Sequence, residues 1–199
     1  MLKIITPVGE CHKHFLPYLS EKIRKSCARA GIMYNHLIDE DKGFPSMARN
    51  RLLENINNDD YVAFIDADDY PCDAWAETIS QFFDHDVIYG DYCSYENGDI
   101  YRSQRFDYEK FKKVNFIGFS TVAMKGSIAR QVRFQPIYYA EDWVFMHEVY
   151  KVTQDFYYIP FMITVRRIDT SINRGVIPVY RKLKRLYRIH KVKQIIEKL

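Results

Sequence analysis

The sequence predicts an α/β protein with a mixed, mainly parallel sheet flanked by helices, a β-hairpin and a helical extension at the C-terminus. Short apolar segments typical of buried strands alternate with amphipathic segments of helical period, which is the pattern of a parallel sheet. Asn97-Gly98 lies between two β-prone segments and indicates a two-residue hairpin. The 199 residues, 47% of them hydrophobic, suffice for one domain with a substantial core.

The first half of the chain is expected to supply three strands and two helices. Residues 2–5 predict a buried strand, and residues 15–29 predict a helix with an apolar face. Residues 32–38 suit a second strand. Ser46 is a favourable N-cap for the next helix. Residues 61–65 form a continuous apolar run, which is typical of a central strand buried on both faces.

The second half continues the alternation and then changes character. Pro71 and Asp73 predict the start of another helix, and residues 87–89 predict a further strand before the hairpin. No repeat or low-complexity linker interrupts the chain. We therefore expect one domain over residues 1–176 and a basic amphipathic helix over residues 177–199.

Composition argues against several classes of protein. No run of 18 or more apolar residues occurs, and the N-terminus lacks the charged-then-apolar pattern of a secretory signal, so we expect a cytoplasmic location. The four cysteines are widely scattered, which argues against a disulfide framework or a cysteine-rich zinc site. They are Cys11, Cys27, Cys72 and Cys93.

Polar residues follow the predicted strands at the places where a ligand crevice forms in open α/β sheets. Thr6-Pro7 ends the first strand, Asp39 ends the second, and Asp66-Ala67-Asp68 follows the third. Two carboxylates one residue apart, leaving a buried strand, suit Mg²⁺ or Mn²⁺ together with substrate phosphates. The same residues are also common in turns and helix caps, so the Asp-x-Asp pattern alone leaves a purely structural role open.

A helix predicted to begin near Ser46 adds a second feature suited to phosphate. The start of a helix presents unpaired N–H groups and the positive end of the helix dipole. Arg49 adds a guanidinium that can bind phosphate oxygens in a bidentate manner. The alternative is an ordinary surface charge paired with Glu54 or Asp60.

Five short motifs in a fixed order resemble those of glycosyltransferase family 2, whose fold is called GT-A. The central motif joins Gly43–Asn50 (GFPSMARN) to Asp60–Asp69 (DYVAFIDADD, with the DXD motif). Leu37-Ile38-Asp39 resembles the end of the family's second strand, and Ala140-Glu141-Asp142-Trp143 resembles its later E-D motif. Thr6-Pro7 and the closing segment 166–172 complete the order.

The resemblance implies a role for each matching residue. Asp39 is expected to contact the nucleotide base, and Arg49 the donor phosphates. Asp66 and Asp68 are expected to hold the nucleotide-sugar and its metal, Mn²⁺ or Mg²⁺, with Asp68 the direct ligand. Asp142 is expected to be the general base that takes a proton from the acceptor hydroxyl. In the alternative interpretation, Glu141 and Asp142 only complement a helix dipole.

One departure from the family pattern concerns the closing segment. Many relatives carry a histidine where this chain has Ile168. Arg166, Arg167 or Arg174 is expected to make the missing contact, and Arg167 is assigned to the donor site together with Thr6 and Pro7.

The sequence of the basic tail does not determine what the tail contacts. Residues 166–199 contain eleven Lys and Arg and two acidic residues. Such a segment packs on the body as an amphipathic helix, lies on an anionic membrane surface, or follows a nucleic-acid backbone. The expected location is therefore cytoplasmic, with peripheral membrane contact as one of these alternatives.

The expected function is a metal-dependent, inverting hexosyl- or pentosyltransferase that moves a sugar from a nucleotide-sugar, by expectation a UDP-sugar, to an acceptor hydroxyl. Acceptors compatible with the resemblance are a glycan, a lipid-linked sugar or a modified nucleic-acid base. Two alternatives come from other classes. One is a non-catalytic nucleic-acid or membrane-binding module acting through the tail, and the other is a metal-dependent nucleotidyltransferase.

Overall fold

The structure analysed is a computed structural model of the chain, and it describes most of the predicted domain. The described residues are 1–40, 44–94, 99–137, 139–166, 194 and 196. The turn predicted at Asn97-Gly98, the predicted site residue Arg167 and nearly all of the predicted tail helix lie outside them. The boundary expected near residue 176 also lies outside, so the division of the chain stays a prediction.

Eight strands and six α-helices are present in the described part of the chain. The strands are β1 (Leu2–Pro7), β2 (Tyr34–Asp39), β3 (Tyr61–Phe64), β4 (Tyr70–Pro71), β5 (Val87–Ser94), β6 (Ile100–Tyr101), β7 (Ala123–Lys125) and β8 (Phe156–Arg166). The helices are α1 (Leu16–Ala30), α2 (Pro45–Leu53), α3 (Trp75–Ser80), α4 (Tyr108–Phe111), α5 (Gly126–Ala129) and α6 (Glu141–Val152). Short 3-10 helices cover Glu10–Phe15 and Phe119–Thr121.

The strands form one mixed sheet, which confirms the predicted α/β class. Their order is β2-β1-β3-β7-β5-β8-β4, and β6 pairs with β5. β1 is parallel to both β2 and β3, and β5 is parallel to β8, so most register partners belong to parallel pairs. The predicted hairpin strands pair antiparallel, with Tyr92 opposite Tyr101.

Helices on both faces of the sheet enclose two apolar clusters. β3 is buried along its whole length, as predicted for a central strand. On one face Phe64, Phe134 and Phe145 belong to the larger cluster, and the rings of Phe134 and Phe145 stack at 3.8 Å. On the other face Ile23 of α1 and Trp75 of α3 pack in the smaller cluster. The sheet is therefore a rigid base for the loops at its edges.

Two predicted helix starts were wrong. Ser46 is not the N-cap of α2, because the helix begins one residue earlier at Pro45, whose ring favours the first helical position, and Phe44 is the N-cap. Pro71 does not open a helix. It lies in the edge strand β4, opposite Thr164, where the missing N–H of a proline is tolerated.

The predicted end of the first helix was correct. Gly31 follows α1 with a positive φ of 66°, a conformation that glycine adopts without a steric penalty. Within the described ranges, no helix has both the length and the apolar character needed to cross a bilayer.

Candidate active site

The carboxyl ends of β1, β2 and β3 bring the predicted polar residues to one edge of the sheet. Pro7 of β1 and Asp39 of β2 are register partners, and the N–H of Val8 donates to the Asp39 carbonyl oxygen at 2.9 Å. β3 runs parallel to β1 on the side away from β2. Asp66, the first residue of the acidic turn Asp66–Asp69, follows two residues after the end of β3. These residues therefore lie at the carboxyl ends of parallel strands, which is where open α/β sheets bind their ligands.

The turn Asp66–Asp69 is fixed by Ser120, which the sequence did not single out. The Asp66 N–H donates to Ser120 Oγ at 3.2 Å, and Ser120 Oγ donates to Asp69 Oδ2 at 2.6 Å. Asp69 is only 3% exposed. This hydroxyl therefore ties the backbone of Asp66 to the buried carboxylate of Asp69.

Arg49 lies between two carboxylates from distant parts of the chain. Its Nη2 donates to Asp66 Oδ1 at 2.6 Å, and its Nη1 donates to Glu141 Oε1 at 2.8 Å. The guanidinium also lies over the rings of Phe119 and Phe134, at 5.1 and 5.3 Å from their centroids. Arg49 is 3% exposed. Burial opposes its charge, yet Asp66 and Glu141 raise its pKa above the usual value.

Glu141 and Asp142 form the first turn of α6, as the sequence predicts. Asp142 Oδ1 accepts a hydrogen bond from the Trp143 N–H at 2.8 Å. Burial and the neighbouring charge of Glu141 raise the pKa of Asp142 to about 6, although Arg49 acts in the opposite direction. The residue before this turn, Ala140, has a φ of 56°, a left-handed conformation that costs energy in a residue other than glycine.

The carboxyl groups of the acidic turn differ in their ionisation. Burial raises the pKa of Asp66, but the charges of Arg49 and Arg166 outweigh burial and lower it below the usual value. For Asp69, burial dominates and raises the pKa to about 7, although Arg166 partly opposes the shift. The pKa values of these two carboxyl groups in the same turn are therefore shifted in opposite directions.

Arg166 brings the end of β8 to the same turn. Its Nε donates to Asp69 Oδ2 at 3.2 Å, and its guanidinium lies 5.1 Å from the centroid of the Tyr92 ring. The side chain is 37% exposed, in contrast to Arg49. Of the arginines proposed to replace the family's histidine, Arg166 therefore reaches the acidic turn, while Arg167 and Arg174 lie outside the described residues.

Asp66 and Asp68, the two residues predicted to bind a metal ion, offer only oxygen atoms as ligands. Asp68 is 16% exposed, and its Oδ2 lies 3.9 Å from His12 Nε2. Within the described part of the chain, no group of three or more His, Cys, Asp and Glu residues converges as a metal site. Mg²⁺ and Mn²⁺ commonly use only one or two carboxylates and complete their coordination with water and substrate phosphates. Asp66 and Asp68 fit that chemistry, because both supply hard oxygen ligands.

The remaining predicted site residues differ in their surroundings. Asp39 Oδ2 accepts from Arg51 Nε at 2.7 Å, and its side chain is 21% exposed. Thr6 is fully buried, and its Oγ1 lies 2.9 Å from His36 Nε2 within the sheet. Pro7 is half-buried at the end of β1. The nucleotide contacts expected of these residues stay predictions.

Three residues of the cluster were absent from the predicted site: Asp69, Ser120 and Glu141. Asp69 and Glu141 adjoin Asp68 and Asp142 in the sequence, so a wider reading of the two acidic motifs finds them. Ser120 carries no such signal, since a single serine in a short 3-10 helix has no distinctive neighbours.

Comparison with solved structures identifies proteins of similar fold. Residues 1–349 of S. aureus TarS superpose with a TM-score of 0.65 at 14% identity, covering 83% of this chain and 60% of that one. The same TarS fragment in complex with UDP-GlcNAc gives a TM-score of 0.65, also at 14% identity, with coverages of 88% and 61%. The chain thus spans about 60% of the length of these TarS fragments.

Two further structures are similar over most of their own length. A putative glucose-1-phosphate thymidylyltransferase from Bacillus anthracis, in complex with sucrose, has a TM-score of 0.51 at 12% identity, with 82% of this chain and 88% of that one covered. A glycosyltransferase involved in glycosylation of the major capsid of PBCV-1 has a TM-score of 0.50 at 9% identity, with coverages of 87% and 97%.

No protein-family model matches the sequence, and the search of curated proteins gives no match either. At 9–14% identity, the structural similarity establishes a GT-A-like fold. It does not extend to the membership in family 2 that the motifs suggest.

Proposed function

We propose that this chain is a metal-dependent, inverting glycosyltransferase that moves a sugar from a UDP-sugar to an acceptor hydroxyl. The observation that carries the proposal is the link between the acidic turn and the start of α6. Arg49 contacts both Asp66 and Glu141, although Arg49 and Glu141 are 92 positions apart. The carboxylates proposed to hold a metal-bound diphosphate are therefore linked through Arg49 to the helix turn that carries the partly buried Asp142.

The donor is assigned to the edge formed by β1, β2 and the acidic turn. Asp39 at the end of β2 is proposed to contact the nucleotide base, and Asp66 and Asp68 to hold the metal ion. A bound Mn²⁺ or Mg²⁺ supplies positive charge to the diphosphate oxygens as the leaving group departs. Pro7 is half-buried at the end of β1, whereas Thr6 is fully buried and supports this edge from within the sheet.

Asp142 is assigned the role of general base. The acceptor oxygen forms a bond to the anomeric carbon while the bond from that carbon to the diphosphate oxygen breaks. The electron pair of the broken bond leaves with UDP, and the hydroxyl proton passes to the Asp142 carboxylate. A pKa of about 6 leaves Asp142 mostly ionised at neutral pH and still basic enough to accept a proton.

Arg166 is the second source of positive charge for the leaving group. Both terminal nitrogens of Arg49 donate to carboxylates, whereas Arg166 is fixed through Nε and is more exposed at the same turn. A guanidinium in this position is suited to bidentate contact with phosphate oxygens. We therefore propose that Arg166 contributes to diphosphate binding.

A nucleotidyltransferase is the second candidate, because the similar thymidylyltransferase structure shares the fold. The two reactions differ in their products. A glycosyltransferase releases a nucleoside diphosphate from the donor, whereas a nucleotidyltransferase releases pyrophosphate from a nucleoside triphosphate. Coupled assays for UDP and for pyrophosphate, run on the same preparation, distinguish the two.

Titration calorimetry with UDP tests the metal site. We expect Mn²⁺ to strengthen UDP binding to the wild-type protein, and Asp68→Ala to remove that dependence because a metal ligand is lost. Asp73→Ala is the matched control, since Asp73 is an exposed carboxylate paired with Lys22 outside the cluster. Metal-dependent binding that persists in Asp68→Ala would contradict the assignment of Asp68.

The acceptor and the tail need separate measurements. A panel of UDP-sugars tested for hydrolysis identifies the donor. Glycan, lipid-linked and nucleic-acid acceptors are then tested in reactions with that donor.

Peripheral membrane contact of the tail is tested with vesicles that contain anionic lipid. Replacing the Lys and Arg of residues 181–193 with Gln, while keeping Ile196, isolates the role of tail charge. Unchanged acceptor use and vesicle binding would remove the tail from both roles.

A further inference from the structure

The fold places one buried cation between two parts of the proposed active site. Arg49 comes from the first half of α2, Asp66 from the turn after β3, and Glu141 from the first turn of α6. Asp66 is 30% exposed and Glu141 is 15% exposed, so both carboxylates are partly shielded from solvent. Arg49 therefore joins the acidic turn to the base-bearing helix through two charge-assisted hydrogen bonds.

The surroundings of Arg49 hold its side chain in one orientation. Phe119 and Phe134 lie against the guanidinium, and both rings belong to the larger apolar cluster. A guanidinium with both terminal nitrogens donating and aromatic rings against it has little freedom to turn towards a ligand. Arg49 is thus better suited to join protein groups than to bind an incoming phosphate.

We propose that Arg49 and Glu141 are positioning residues, whose ion pair holds the helix carrying Asp142 against the turn carrying Asp66. The inference rests on the proposed function and goes further, because it assigns Arg49 a role other than the phosphate contact expected from the sequence. The distance between the donor phosphates and the general base is then set by this bridge. A small misplacement of reacting groups costs up to about 100-fold in rate.

The bridge also affects the protonation of Asp142. The charged groups acting on Asp142 are Glu141, which raises its pKa, and Arg49 and Arg166, which lower it, while the Trp143 N–H donates to it. Removing the charge of Glu141 should therefore lower the pKa of Asp142. Replacing Arg49 with lysine keeps one positive charge nearby but loses the planar fork that reaches two carboxylates at once.

Two substitutions, Glu141→Gln and Arg49→Lys, test the bridge. We expect each to lower kcat by about 10- to 100-fold and to leave the KM for the UDP-sugar and the affinity for UDP unchanged. Glu141→Gln should also move the acid limb of the pH profile of kcat/KM to lower pH. In the double variant the two losses should not add, because both remove the same interaction.

Glu148→Gln and Arg24→Lys are matched controls. Glu148 lies on α6 and pairs with Lys151, and Arg24 lies on α1 and pairs with Glu21, so both substitutions alter an ion pair outside the cluster. Wild-type kinetics are expected for both. If Arg49→Lys fails to fold, Glu141→Gln is sufficient, since its side chain keeps the size and one hydrogen-bond acceptor of glutamate.

Two results would overturn the inference. One is a raised donor KM with unchanged kcat in Arg49→Lys, which would show that Arg49 holds the donor phosphates. The other is a wild-type kcat and pH profile in Glu141→Gln. An NMR titration of the Asp142 carboxyl carbon gives a readout that needs no turnover. If the wild-type protein hydrolyses no UDP-sugar, the proposed function fails, and the bridge is then judged by whether the losses in free energy of unfolding in the two single variants fail to add in the double variant.

Discussion

Neighbouring carboxyl groups in the cluster differ in protonation because they differ in partners. Asp66 faces two arginines and its pKa is lowered, whereas Asp69 is buried and its pKa is raised to about 7. Asp142 is partly buried next to the charge of Glu141, and together these raise its pKa to about 6. The same residue type therefore supplies a stable anion at one position and a proton acceptor at another.

The pKa of Asp142 predicts how activity depends on pH. A general base acts in its ionised form, so kcat/KM should rise as the pH increases through about 6 and level off above it. Asp142→Asn should reduce kcat by about 10²- to 10⁴-fold and leave UDP affinity unchanged. Steady-state kinetics from pH 5 to pH 8 measure this rise in kcat/KM. Full activity of Asp142→Asn would exclude the role of base.

For single residues, the sequence indicated candidate side chains but not the side chains with which they form ion pairs. Asp39, Asp66, Asp68 and Asp142 were singled out from strand ends and from the family resemblance. The structure places Asp39 at the end of β2, the acidic turn after β3 and Asp142 in the first turn of α6, while their roles in a site stay predictions. Arg49 was also found, but its pairing with Glu141 was not. Spacing along the chain does not show which of several acids a long cationic side chain will reach.

Among the elements, α6 combines a polar first turn with a buried histidine. His147 is 0% exposed and packs near Phe111 and Trp143. Within the described part of the chain, neither of its ring nitrogens has a hydrogen-bond partner. Burial lowers its pKa from 6.5 to about 4, so the folded protein holds this imidazole in its neutral form.

His147 predicts a loss of stability in acid. Its pKa is lower in the folded state than in the unfolded state, so stability is lost as the pH falls from about 6.5 towards 4. His147→Leu should raise Tm at pH 5 by about 2–4 °C, because a buried polar group without a partner is replaced by an apolar one. Thermal unfolding at pH 7 and pH 5 measures this.

His36 and His14 serve as the comparison for that experiment. Burial also lowers the pKa of His36 to about 4, so part of the acid sensitivity should persist in His147→Leu. His14 is exposed in the 3-10 helix, and His14→Gln should leave the difference in Tm between the two pH values unchanged. If His147→Leu and His14→Gln changed the difference in Tm between pH 7 and pH 5 equally, burial of His147 would not be the cause of the acid sensitivity.

The strands show where sequence patterns lose information. β1 and β3 were predicted from continuous apolar runs. β7 and β8 were not predicted. β8 has an irregularity in its pairing with β5, since Gly90 is opposite Ile159 and Asp91 is opposite Met162. Pro160 lies in this bulge, and a proline within a β-prone segment argues against a central strand unless a bulge accommodates it.

For the molecule as a whole, the tail contributes to the core. Ile196 is helical, only 5% exposed, and part of the larger apolar cluster, whereas Gln194 is exposed. This places Ile196 against the body, while the three alternatives drawn from the sequence for the tail as a whole stay predictions. The basic residues between 177 and 193 lie outside the described ranges, and their partners stay open.

Ile196 predicts the stability contribution of the tail. Ile196→Ala should lower the free energy of unfolding by about 2–4 kcal/mol, through lost burial and the cavity left behind. Gln194→Ala is the control and should change it little, because its side chain is exposed. Urea denaturation of the two variants compares them. Equal midpoints would show that the end of the tail does not pack on the core in solution.

The sequence by itself determined the α/β class, the central strands, the order of the acidic motifs and their place at one edge of the sheet. These features follow from local patterns, because burial sets the period of apolar residues and the carboxyl ends of parallel strands meet on one side. Tertiary structure alone decided which charges pair. Arg49 meets Glu141 and Arg166 meets Asp69, at separations of 92 and 97 positions, because the folding of β8 and α6 onto the edge brings them together.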